Sequence, residues 1–317
     1  MNDSNIQTNS IKAWFLAARP KTLSGAAVPV MTGCVLAYNN TGWQQFQLLP
    51  AVLCLLFAWM MQIDSNLIND FFDFKKGNDI KELRLGPKRA CSEGWITLPA
   101  MKVGIVITTI IACCIGLPLI FFGGWNMIII GVLCVLFAFL YTTKLSYLGL
   151  GDLLVLVFFG IVPVCLTYYV IMPEEKQCIN GYILLAGIAC GLVIDTLLLV
   201  NNYRDRDNDL HDGKITLVVR IGEKAAEILY LTVGVVAVLI MIFVELSVIT
   251  SNLSNSLTPG SVCIIILPLL LYLCLHISVW KTMVKINKGK ELNHVLGLTA
   301  RNMFVFGLMV IIGLVLA

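Results

Sequence analysis

Apolar residues gather into nine long runs, at residues 22–38, 48–72, 101–122, 127–141, 150–172, 182–203, 225–248, 262–284 and 295–316, with short polar stretches between them. A helix of about 20 residues crosses the ~30 Å hydrocarbon core of a bilayer, and helices satisfy their own backbone hydrogen bonds where no water is present. The pattern therefore predicts an all-α, polytopic membrane protein with nine transmembrane helices. The run at 127–141 is the shortest. The first 21 residues are polar and then mildly amphipathic around Trp14 to Arg19, without the apolar core and small-residue cleavage site of a secretory signal. No soluble domain or low-complexity linker interrupts the pattern, so residues 1–317 read as one integral membrane domain.

Composition agrees, with 58% of the 317 residues hydrophobic and 13% charged. The net charge of +3 makes no case for nucleic acid, because the basic residues sit in the loops between spans. Their distribution is more telling. The loops after odd-numbered spans (39–47, 123–126, 173–181 and 250–261) hold one basic residue, Lys176. The loops after even-numbered spans hold Lys75, Lys76, Lys81, Arg84, Lys88 and Arg89, then Lys144, then Arg204, Arg206, Lys214, Arg220 and Lys224, then Lys285, Lys288 and Lys290. The positive-inside rule puts the second set in the cytoplasm. The expectation is a multi-pass protein of the cell (inner, cytoplasmic) membrane, its N-terminus inside and its C-terminus outside. Cys34, Cys54, Cys134, Cys165, Cys190, Cys263 and Cys274 fall singly within apolar runs and read as small buried hydrophobes; there is no zinc-type spacing.

Candidate chemistry lies where two apolar runs end. Asn66, Asn69, Asp70 and Asp73 recur at three- and four-residue spacing, which places them on one helix face near its cytoplasmic mouth. Asn201, Asn202, Asp205 and Asp209 repeat the pattern after the sixth run. Four spans separate the clusters, so both open on the same side, and the chain reads as two parallel halves, roughly 22–145 and 150–284. Either cluster alone could be a solvated helix end. Two together, each beside a basic loop, suit hard cations such as Mg²⁺ bridging carboxylates to a substrate's phosphates. Asp64 and Asp195 lie inside spans, where an ionised group is usually paired or functional. Helical phase points Asp195 towards the cavity and makes Asp64 a polar contact between helices. Lys144 is either a topological anchor or a diphosphate ligand. His211, His276 and His294 form no ligand spacing.

A metal-held diphosphate at the mouth of an apolar cavity is the arrangement needed to ionise an allylic diphosphate away from water. The motifs ARPKTL (18–23), NLINDFFDFKKGND (66–79), RLGPKR (84–89), GWIT (94–97), GLGD (149–152), NNYRDRDND (201–209), GKITLVVRIG (213–222) and LGLTAR (296–301) resemble those of UbiA-type intramembrane prenyltransferases. The likeness is closest to the branch that prenylates 1,4-dihydroxy-2-naphthoate in menaquinone synthesis. It implies nine helices around a central cavity, two Mg²⁺ ions, and polyprenyl transfer from a polyprenyl diphosphate to that naphthoate with loss of CO₂. By motif position it implies Asp70, Asp73, Asp205 and Asp209 as catalytic metal ligands and Asn66, Asn69 and Asn202 as supporting ligands. Arg204 and Lys144 would hold the diphosphate, and Arg19 and Lys21 would lie near the acidic acceptor. Prenylation of another aromatic acid, such as 4-hydroxybenzoate or homogentisate, is the alternative within enzymes. A divalent-cation or secondary transporter is the alternative outside them.

Overall fold

The computed structural model describes residues 6–77, 84–252 and 259–316; their regular structure is all helix, with no strand among them. The helices are α1 (Ile11–Ala18), α2 (Leu23–Gln45), α3 (Leu48–Lys75), α4 (Leu98–Gly123), α5 (Asn126–Thr143), α6 (Gly151–Ile171), α7 (Gly181–His211), α8 (Leu217–Ile221), α9 (Glu223–Asn252), α10 (Pro259–Ile286) and α11 (Leu292–Leu316). Each of the nine predicted spans coincides with a helix. Among the described residues eight helices are long and apolar enough to cross a membrane, and α2, with its small and polar residues, is not one of them.

Local chemistry sets the helix ends. The Ser10 side chain accepts the Ala13 N–H and caps α1, and Thr216 does the same for α8 through Val219. Gly42, at φ 62°, breaks the helical path of α2 before the short crossing to α3. In α6, Pro163 lacks an N–H and its ring crowds the carbonyl a turn back, and the ladder widens into a π-helical turn over Leu156–Ile161. That turn brings Gly160 onto α7. A methyl at Gly160 would lie 2.5 Å from the Gly187 carbonyl, and one at Gly191 would lie 2.8 Å from the Leu156 carbonyl. With glycines on both sides the backbones touch, the usual source of packing energy between membrane helices.

α7 is the hub, with 67% of its apolar window buried, against 6% for α5. The main core joins α2, α6, α7, α9, α10 and α11 through Leu36, Val164, Tyr168, Ala189, Met241, Tyr272 and Phe306. α3 packs on α2, α4 and α5, and α11 closes back on α2.

Three expectations meet the structure here. Asp64 ties α3 to α4, accepting the hydroxyls of Thr108 at 2.5 Å and Thr109 at 2.8 Å, as its helical phase suggested. Asp195 does not face the main cavity; Ile194, Leu197 and Leu198 take that face, and its carboxyl meets Asp152 of α6 instead. The cysteines divide. Cys54, Cys165 and Cys190 are buried, while Cys263 and Cys274 are exposed on the outer surface of the bundle, where lipid is as hospitable to a small apolar group as a core.

Candidate active site

The C-terminal ends of α3 and α7 line one cavity of about 690 Å³. Its inner walls are apolar, with Phe57, Met61, Phe137, Phe158, Phe159 and Leu166 from α3, α5 and α6. Its mouth is polar and is shared by both motifs, through Asn66, Asn69 and Asp73 on one side and Asn202, Asp205 and Asp209 on the other. The two sides sense each other: the negative charge at Asp209 is opposed by Asp205 on its own helix and by Asp73 across the mouth.

Within the first motif, Asn66 Nδ2 donates to the Ala18 carbonyl and to Thr22 Oγ1, both at 3.0 Å, and its Oδ1 accepts from Gln62. The junction between α1 and α2 is thereby pinned to α3. Asn69 Oδ1 accepts the Thr142 hydroxyl of α5. Asp73 is bonded to Arg89 at 2.5 Å, and Arg89 also donates to the Asn69 carbonyl at 3.1 Å. Asp70 turns away from the cavity. It is 1% exposed, and its two oxygens accept the N–H groups of Ala90 at 2.8 Å and Cys91 at 3.1 Å. It folds the loop that carries Arg89.

In the second motif, Asp205 receives a bidentate contact from Arg204, at 2.8 and 2.5 Å. Arg204 is buried outside the cavity wall, where it also donates to Asn201 at 2.7 Å and to Asn293 at 2.9 Å; Asn293 in turn donates to the Leu85 carbonyl at 2.7 Å. Gly86 lets this loop lie on the guanidinium, since a methyl there would sit 2.7 Å from Nη2. Asp209 Oδ1 pairs with Lys214 at 3.3 Å, while its Oδ2 is buried without a hydrogen-bond partner.

The remaining basic positions separate. Arg19, at the left-handed C-cap of α1 (φ 51°), lines the cavity, whereas Lys21 on the following turn is exposed and does not. Lys144 is also exposed and outside the wall. Lys76 occupies that corner, donating to the Thr143 carbonyl at 2.9 Å and lying 3.8 Å from the centre of the Tyr147 ring. Although Lys76 is exposed, partial desolvation of its ammonium in that corner holds it below the usual lysine range, with Asp73 opposing the shift and Lys214 adding to it. Arg84, Arg89 and Lys214 line the cavity as well. They lie inside the quoted RLGPKR and GKITLVVRIG motifs, but spacing alone gave them no role.

Among the described residues no three His, Cys, Asp or Glu groups converge as a closed metal site. The donors are nevertheless those a hard cation takes: Asp73, Asp205 and Asp209 carboxylates, the orphaned Oδ2 of Asp209, and the amide oxygens of the motif asparagines. This is an open set, of the kind Mg²⁺ completes with phosphate and water.

The sequence profile of the UbiA prenyltransferase family matches residues 26–290. The chain belongs to the UbiA prenyltransferase family. Relatives include the 1,4-dihydroxy-2-naphthoate octaprenyltransferase of Escherichia coli, 38% identical over 227 residues, which are 68% of this chain and 71% of the relative. The protein of the same name from Haemophilus influenzae is 36% identical over 231 residues, 70% of this chain and 73% of the relative. Among solved structures, a UbiA homologue of Aeropyrum pernix in its apo form superposes with a TM-score of 0.66 at 16% identity, covering 91% of this chain and 96% of the other. A UbiA homologue of Archaeoglobus fulgidus bound to DMAPP and Mg²⁺ gives 0.56 at 14% identity, covering 94% and 98%. The UbiA fold of this chain is thus that of a multi-pass membrane protein with its motif helices at one mouth.

Proposed function

We propose that this UbiA-family chain transfers a polyprenyl group from a polyprenyl diphosphate to 1,4-dihydroxy-2-naphthoate with decarboxylation, giving demethylmenaquinol, the reduced form of demethylmenaquinone. The observation that carries the reading is the meeting of both aspartate-bearing helix ends at the mouth of one apolar-walled cavity. The names of the relatives from Escherichia coli and Haemophilus influenzae support the choice of acceptor.

Asp73, Asp205 and Asp209, with Asn66, Asn69 and Asn202, would hold two Mg²⁺ ions. When bound, Mg²⁺ supplies positive charge that stabilises the departing diphosphate. Arg84, Arg89 and Lys214 converge on the same mouth and gather phosphate oxygens. The allylic C–O bond breaks with its electron pair going to the diphosphate. Phe137, Phe158 and Tyr141 then wall the allyl cation from water and offer it aromatic faces. The new C–C bond forms at the ring carbon bearing the carboxylate, and the electrons released with CO₂ restore the aromatic ring. Arg19 faces the acidic acceptor. Arg204 and Asp70 act on the frame of the site, and Lys21 and Lys144, both exposed, anchor the chain at the membrane surface. The mouth faces the cytoplasm, with the N-terminus inside and the C-terminus outside the cell membrane.

Transport is disfavoured for the two intramembrane acids that helical phase singled out: Asp64 is tied by two threonines, and Asp195 lies off the main cavity beside Asp152. Purified protein in detergent, given Mg²⁺, a polyprenyl diphosphate and each aromatic acid in turn, is expected to prenylate the naphthoate. Product from 4-hydroxybenzoate alone would reject this acceptor, and no product from any acid would reject the enzyme.

A further inference from the structure

Each aspartate of the two motifs that faces the mouth already holds a cation of the chain: Arg89 on Asp73, Arg204 on Asp205 and Lys214 on Asp209. The three partners are not alike. Arg204 is 3% exposed, lies outside the cavity wall and is held by Asn201 and Asn293 as well as by Asp205. Arg89 and Lys214 line the cavity itself. They can reach an anion in the mouth while keeping their places on the chain.

Resting on the diphosphate reading above, we propose that Arg89 and Lys214 are exchangeable counter-ions. They neutralise Asp73 and Asp209 while the mouth is empty, and they move to phosphate oxygens when a prenyl diphosphate enters, which frees the carboxylates for divalent cations. Without such partners three carboxylates around one mouth would repel one another. A divalent cation arriving alone must break an ion pair and then sit beside the displaced positive charge. Arriving with a diphosphate, it finds that charge already absorbed. The open donor geometry agrees: no closed metal site exists among the described residues, and Asp209 keeps one oxygen on Lys214 and leaves the other unpartnered. Metal and diphosphate therefore bind cooperatively, and the coupling is reciprocal.

The test is Mn²⁺ binding to the purified protein in detergent, followed by the EPR signal of free Mn²⁺, with and without the unreactive analogue geranyl thiolodiphosphate. In the native chain the analogue is expected to tighten Mn²⁺ binding by about tenfold or more. Arg89→Gln and Lys214→Gln are each expected to tighten Mn²⁺ alone by about three- to tenfold and to shrink the enhancement, while Arg89→Lys, which keeps the charge, preserves it. Arg89 also braces the Asn69 carbonyl, so the Lys214 variant gives an independent reading should the first fail to fold. Coupled binding in the native chain with unchanged or weaker Mn²⁺ affinity in the variants would overturn the counter-ion proposal alone. A native chain that binds neither probe would overturn the diphosphate reading with it.

Discussion

Asp70 and Asp209 both belong to the aspartate-rich motifs, yet they spend their oxygens differently. Asp70 has both on backbone N–H groups of a loop, and Asp209 has one on a lysine and one on nothing. Replacing them should separate chemistry from architecture. Asp209→Asn removes a charge facing the mouth and is expected to lower kcat by about 10²–10³-fold, the usual loss when one electrostatic contact to a developing charge is deleted, with the unfolding midpoint in detergent unchanged. Asp70→Ala leaves two buried N–H groups unpaired, at a cost of about 1–3 kcal/mol each. Its expected signature is a lowered midpoint, with activity lost through the displaced loop. If Asp70→Ala silenced prenyl transfer at an unchanged midpoint, Asp70 would be a ligand after all. Helical spacing put Asp70 and Asp73 on one face, but it could not show that the following loop would fold back and claim Asp70 first.

At the scale of helices, the contact between α6 and α7 depends on Gly160, Gly187 and Gly191 meeting across the π-helical turn. Gly191→Val would push side-chain atoms into the Leu156 backbone and is expected to destabilise by about 1–3 kcal/mol, as overpacking does, read as a drop in the thermal midpoint in detergent. Gly181→Ala, with open space around it, is the matched control and should leave the midpoint unmoved. The helices themselves were legible as runs long enough to span lipid. The π-helical turn was not, because it arises from Pro163 and a neighbour's glycines together, and single-chain periodicity carries no record of what lies opposite. Arg204 escaped in the same way. Its place in the motif pointed to the diphosphate, and only the tertiary contact with Asn293, which in turn reaches the Leu85 carbonyl, shows how it is held outside the cavity wall.

For the whole molecule, the alternation of basic loops gave an orientation that the helix order is consistent with, since α3 and α7 run the same way and deliver both motifs to one end. Cys178, exposed on the loop before α7, lies at the other end. A membrane-impermeant maleimide should label it in intact cells, and labelling that required permeabilised membranes would invert the topology. Positions of basic residues supply that expected orientation, whereas they could not supply the division of labour among Arg19, Lys21, Lys144 and Lys214. All four are cations near one surface, and only the packing of loops decides which reach the cavity.

Asn293 joins three stretches far apart in the chain: the loop at Leu85, the second motif through Arg204, and the start of α11. During synthesis that amide emerges after both aspartate motifs. A nascent protein can thus have each half of its mouth seated in the bilayer and still lack the clasp between them, so a helix made after both motifs is the one that fastens the first loop to the second motif.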